Sequence, residues 1–116
     1  MAKQTLTAKI LFDFDRWDLS AESKQILEAK LGILRANPSL KLVIEGNADD
    51  KGSDEYNLAL GQRRAAAAKQ FFVQRDLDPS RIEVVSFGEQ RPACAQTTDP
   101  CRAQNRRAEF RVSAGM

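Results

Sequence analysis

An α/β fold of the α+β sandwich type, with helices packed in one layer on a mixed four-stranded sheet, is predicted by three features of the sequence. Short apolar runs rich in β-branched and aromatic residues alternate with two longer segments of helical periodicity. Each helical segment opens on a serine placed to cap it, Ser20 and Ser53. The connections are short and carry turn residues, as at Asn37-Pro38 and at "DLDP" from Asp76 to Pro79. The order is strand–helix–strand–helix–strand–loop or short helix–strand, which suits helices laid on a mixed sheet.

The first strand is read over Ala8 to Asp15, "AKILFDFD", with Ile10, Phe12 and Phe14 on one face and Leu11 and Asp13 on the other. Ser20 caps the first helix and Glu22 lies in its first turn. Ile26, Leu27, Leu31 and Leu34 then recur at helical spacing until Asn37-Pro38 stops it. Lys41 to Gly46, "KLVIEG", is the second strand. Ser53 caps the second helix, and Asp54 and Glu55 complement its positive end. That helix passes through Ala65 to Ala68 and ends near Asp76. Arg81 to Gly88 is the third strand, with Ile82, Val84 and Ser86 on one face, and Arg106 to Ser113 is the fourth. No internal repeat, low-complexity run or linker interrupts this pattern. Residues 8–114 are therefore read as one domain, and residues 1–7 as an N-terminal tail.

A chain of 116 residues with 42% hydrophobic content has room for a single core. Its net charge of +2 on 29% charged residues gives no electrostatic case for nucleic acid. The pairs Arg63-Arg64 and Arg106-Arg107 are read as solvated or ion-paired. No apolar run approaches the ~20 residues that cross a bilayer, and "MAKQTLTAKI" is too polar for a signal peptide. An exported protein would carry its targeting segment, and any membrane anchor, outside this sequence.

The chain has no histidine, which removes the commonest general base and metal ligand. No metal site and no cofactor is expected. Cys94 and Cys101 are too widely spaced for a C-x-x-C redox motif. The turn-rich "AQTTDP" between them allows a local disulfide contributing roughly 2–3 kcal/mol at most. That bond would imply an oxidising compartment; the other reading is two free thiols in a cytosolic loop.

"IEGNADDKGSDEY", from Ile44 to Tyr56, leaves an apolar strand through two adjacent aspartates and enters a long helix. Leu60, Ala67, Ala68 and Phe71 mark the apolar stripe of that helix, and Arg64 lies in the stripe or at its edge. A half-buried guanidinium requires a partner. Asp49 and Asp50 stand in the preceding loop, at the carboxyl end of a strand where ligands commonly bind. A carboxylate and a guanidinium that do not consume each other can receive a zwitterion, one taking its ammonium and the other its carboxylate. In the alternative, Asp49 and Arg64 pair to pin the loop to the helix. Asp50, Asp54 and Glu55 are read as solvated or dipole-complementing, and Tyr56 and Trp17 as packing residues.

"LFDFD", "IEGNADDKGSDEYNLALGQRRA", "VVSFGEQRP" and "NRRAEFRV" resemble, in order and spacing, the successive motifs of the OmpA-like (OmpA/MotB C-terminal) peptidoglycan-binding domain. Within it they are most similar to the peptidoglycan-associated lipoproteins of the Tol–Pal system. The resemblance runs from about Leu11 to Val112. It implies a non-enzymatic periplasmic domain that binds the diaminopimelate of the peptidoglycan stem peptide and anchors the outer membrane to the wall. It places the family's aspartate on Asp49, its arginine on Arg64, the border of the pocket on Phe14 and Asp15, and a wall on Leu60. The family's "EGHAD" carries histidine where this chain has Asn47, so Asn47 is expected in the pocket wall in place of an imidazole. Paired cysteines near the last strand also occur in such sequences and favour the disulfide.

Two other readings follow. One is a protein–protein module that meets a TolB-like periplasmic partner, with peptidoglycan binding weakened or lost through Asn47. The other is a cell-wall hydrolase using Asp49 and Asp50, for which the chain offers no histidine, nucleophile motif or metal-ligand spacing.

Overall fold

The computed structural model describes residues 2–115. Its elements run α1 (Ala2–Thr7), β1 (Ile10–Leu11), α2 (Ala21–Ala36), β2 (Lys41–Asn47), α3 (Asp54–Val73), β3 (Ile82–Gly88), α4 (Asp99–Asn105) and β4 (Arg107–Ala114). A 3-10 turn, Pro79–Arg81, precedes β3. The strands form one sheet in the order β1-β4-β2-β3. β4 is antiparallel to both its neighbours, while β2 and β3 are parallel, so the sheet is mixed as expected.

Both predicted caps form. Ser20 Oγ accepts the Ser23 N–H at 3.1 Å, and Ser53 Oγ accepts the Tyr56 N–H at 3.1 Å. Each satisfies one of the donors that a helix start leaves free. Leu27, Leu31 and Leu34 of α2 are buried with Leu42 and Ile44 of β2, Ala65, Ala68 and Phe72 of α3, and Phe110 of β4. Ile26 packs at the edge of this core. The helix α3 stops at Val73, short of the "DLDP" boundary read from the sequence, and Asp76 turns the chain with φ 68°.

Two expectations are corrected. The first strand covers only Ile10–Leu11 rather than Ala8 to Asp15. Phe12 N still donates to Arg106 O at 2.8 Å, but Asp15 takes φ 58° and the chain turns out of the sheet. Phe14 therefore stands exposed instead of joining Ile10 and Phe12 in the core. The expected tail is helical from Ala2 to Thr7, with Leu6 in the core; its Met1 lies outside the described residues.

Lys30 of α2 holds α1 in place. Its ammonium is fully buried and donates to Thr5 O at 2.8 Å, to Leu6 O at 3.0 Å and to Ala8 O. These carbonyls lie in the last turn of α1 and just past it, where a cation also suits the helix dipole. The Phe110 ring lies 4.1 Å beneath the ammonium. Burial pushes this group down to about 7, against the three carbonyls and the ring, which favour the charged form.

The close approach of α3 to β2 depends on a glycine pair. A Cβ on Gly46 would stand 1.7 Å from the Gly61 carbonyl oxygen, and one on Gly61 would stand 2.2 Å from Ser86 Oγ. This contact brings Arg64, less than one turn after Gly61, over the end of β2.

Three outcomes are expected. Gly46→Ala should lower stability to urea by about 3 kcal/mol, because main chain rather than a flexible side chain must move. Lys30→Met should cost about 2 kcal/mol and release the α1 amides to hydrogen exchange while those of α3 stay protected. With the folded lysine below its unfolded value of about 10.4, the unfolded chain binds more protons between those values. Stability should therefore rise with pH from about 7 to about 10 in the parent chain and lose that slope in Lys30→Met.

Candidate functional site

The site lies where β2 ends and α3 begins. At Asn47 the β2–β3 register shifts, so that Asn47 faces Gly88, and Ala48 N donates to Gly88 O at 2.8 Å. The loop then folds back over the start of α3. Asn57 of α3 donates to Asp49 O at 3.2 Å and to Glu89 at 2.8 Å, which fixes the loop against the helix.

Arg64 is fully buried, and its partners are carbonyls rather than a carboxylate. Its Nε donates to Arg16 O at 2.8 Å, one Nη to Asn47 O at 2.8 Å and the other Nη to Asp13 O at 3.1 Å. The turn after β1, the end of β2 and α3 are thereby joined by one side chain. Burial pushes the guanidinium down to about 10, opposed by the charges of Asp49 and Asp15 and reinforced by Arg106, so it remains charged at neutral pH. Three of its five N–H donors are committed.

Asp49 is also buried. Its Oδ1 accepts the Lys51 N–H at 3.0 Å, and its Oδ2 lies 3.5 Å from Arg106 Nη1. The direct Asp49–Arg64 pair of the simpler reading is not the contact that forms. A cavity of about 200 Å³ opens between them, lined by Phe14, Asp15, Asp49, Tyr56, Leu60 and Arg64 along with Lys51, Gly52 and Asn57. Five of the six residues singled out from the sequence thus meet at one opening.

Asn47 is the sixth, and it does not line this cavity. Its side chain is buried, with Nδ2 donating to Glu45 O at 3.0 Å and Oδ1 without a partner among the described residues. The expectation that Asn47 forms the pocket wall is corrected: its main-chain carbonyl positions Arg64, while its amide folds back along β2.

Sequence reasoning missed several neighbours. Tyr56, taken as a packing residue, is exposed on the cavity rim and donates its hydroxyl to Asp15. Its position three residues after the Ser53 cap, on the face of Leu60, could have signalled this. Trp17 is also a surface residue, with the Arg63 guanidinium 4.9 Å over its ring. Asp50 is ion-paired to Arg102 at 2.7 Å rather than simply solvated. Cys94 and Cys101 are disulfide-bonded, and Asn105 fastens the bridged loop by accepting from Ala93 N and Cys94 N. A larger cavity of about 540 Å³ lies between α1 and β4, and none of the predicted site residues lines it.

The OmpA family model matches residues 11–106. The chain belongs to the OmpA family. It is 41% identical over 99 residues to the peptidoglycan-associated lipoprotein of Haemophilus influenzae, covering 85% of this chain and 65% of that protein. It is 42% identical over 100 residues to the peptidoglycan-associated lipoprotein of Brucella melitensis, covering 86% and 60%. The chain therefore spans somewhat under two thirds of the length of these relatives. The crystal structure of the peptidoglycan-associated lipoprotein from Burkholderia pseudomallei superposes with a TM-score of 0.87 at 33% identity, covering 90% of this chain and 88% of that one. Among the described residues of this OmpA-family domain, no helix is long and apolar enough to cross a membrane.

Replacing Arg64 by lysine should cost about 2–3 kcal/mol although the charge is kept, because an ammonium cannot span three carbonyls held in a fork. Trp17 fluorescence should report loosening of the turn after β1 before global unfolding by urea.

Proposed function

We propose that this domain binds peptidoglycan non-covalently by gripping the zwitterionic side-chain end of diaminopimelate in the stem peptide. The observation that carries this reading is that Asp49 and Arg64 line one small cavity without being spent on each other. Asp49 would accept the ligand's ammonium, and the uncommitted N–H donors of Arg64 would take its carboxylate. Leu60 and Phe14 would cover the methylenes between the two charges. The Asp15–Tyr56 pair would close the rim.

Each grip would be modest, since the cavity is small. Repeated stem peptides along the polymer, with an anchor elsewhere in a longer protein, would supply avidity. The names of its relatives support a periplasmic module that ties the outer membrane to the wall, and a binding domain rather than an enzyme. The Cys94–Cys101 bridge is consistent with that oxidising compartment. A TolB-like protein is a further proposed partner. The alternative of weakened peptidoglycan binding through Asn47 has less support, because Asn47 offers the site its main-chain carbonyl and not its side chain.

Calorimetric titration with a stem peptide containing meso-diaminopimelate should give saturable binding. Asp49→Asn, which keeps the shape and removes the charge, should weaken it by about 2–3 kcal/mol. A peptide with lysine in place of diaminopimelate, lacking the second carboxylate, should bind weaker by a similar amount. Equal affinity for the lysine and diaminopimelate peptides would sink the zwitterion grip.

A further inference from the structure

A second cavity, of about 270 Å³, adjoins the first and is lined by Phe14, Asp49, Lys51, Asp99, Arg102 and Arg106. It shares Phe14, Asp49 and Lys51 with the diaminopimelate cavity, so a ligand held in one reaches the other without leaving the surface. Its lining carries three cations against two carboxylates. None of the three cations is saturated. Lys51 makes no side-chain ion pair among the described residues, and its ammonium lies 5.5 Å over the Phe14 ring. Arg106 spends Nε on Phe12 O at 2.9 Å and reaches Asp49 only at 3.5 Å through one Nη. Arg102 spends Nε on Asp50 at 2.7 Å and Nη1 on Asp99 at 3.3 Å, leaving its other Nη free.

We infer that this cavity is a carboxylate subsite that reads a second charge on the same stem peptide, one residue away from diaminopimelate. The inference rests on the proposed peptidoglycan reading. Two groups of the peptide have the required chemistry. One is the α-carboxylate of the preceding γ-linked glutamyl residue, and the other is the terminal carboxylate of a following alanine. Arg102 would take this carboxylate through its free Nη, with Lys51 and Arg106 supplying a cationic rim. With three cations against two carboxylates, the lining favours an anionic substituent over a neutral one, so the subsite discriminates by charge. The domain would thus distinguish stem peptides whose glutamyl carboxylate is free from those in which it is an amide.

The test is calorimetry with four forms of one tetrapeptide ending in diaminopimelyl-alanine: both carboxylates free, the glutamyl one amidated, the alanyl one amidated, and both amidated. The parent domain and Arg102→Gln are titrated with each. The doubly amidated peptide keeps the diaminopimelate zwitterion and should bind both proteins equally. A free carboxylate should tighten binding to the parent about fivefold, as expected for one charge-assisted contact at a partly exposed site. Arg102→Gln should erase that gain, and Arg102→Lys should restore part of it. Whichever single amidation removes the gain identifies the source. If amidation changes nothing in the parent, or Arg102→Gln weakens the doubly amidated peptide as much as the free one, the subsite is overturned while diaminopimelate binding stands. If the doubly amidated peptide fails to bind the parent at all and the free form does too, the diaminopimelate reading falls and this inference falls with it.

Discussion

A buried guanidinium bonded to three main-chain carbonyls is the constraint around which this domain is arranged. Arg64 sits in the apolar stripe of α3, where an unpaired charge would be untenable. Its partners come from residues 13 and 16 of the turn after β1 and residue 47 at the end of β2. Residues 13 and 16 lie beyond β1, and residue 47 is the last of β2. One side chain therefore ties together three acceptors from two parts of the chain, and in return obtains neutral partners that do not cancel its charge. The glycine contact between Gly46 and Gly61 makes this reach possible by letting the helix backbone meet the strand backbone.

Neutral partners for Arg64 have an electrostatic consequence for the loop that follows β2. Asp49 is left to a backbone N–H and a long contact with Arg106, so its charge is also only partly compensated. Two opposite charges stand near one another with their mutual interaction incomplete, across a space too small for a large ligand. Asp50, its neighbour in sequence, is engaged by Arg102. Adjacent aspartates thus divide into one that serves the cavity and one that fastens α4 to the loop.

Much of this was legible in the sequence where local chemistry decides the outcome. Ser20 and Ser53 cap helices because their side chains compete for free N–H groups within one turn, a relation that requires no tertiary information. The apolar spacing of Leu27, Leu31 and Leu34 names the buried face of α2 for the same reason. The gathering of Asp49, Arg64, Phe14, Asp15 and Leu60 at one opening came through the order and spacing of family motifs. What was not legible depended on contacts distant in the chain. β1 stops after two residues where the chain turns at Asp15, and the carbonyls of residues 13 and 16 in that turn are held by Arg64, some fifty positions on. Residues 2–7 fold because Lys30 accommodates their carbonyls, and nothing in "AKQTLT" itself announces that partner. The side chain of Asn47 lies against β2 through a register shift that only strand pairing creates.

The disulfide between Cys94 and Cys101 means that the two sides of the site are held by different kinds of bond. The floor, made of Arg64, Leu60 and the end of β2, is held by helix, sheet and main-chain hydrogen bonds, and needs no oxidant to form. The rim on the α4 side carries Arg102 and Arg106, and its approach is shaped by a bridged loop fastened to Asn105. Reduction would loosen the loop ahead of α4 on the rim side, while the hydrogen bonds that hold the floor involve neither sulfur. Thiol chemistry therefore acts on how the site is bordered, and leaves untouched the charge at its base.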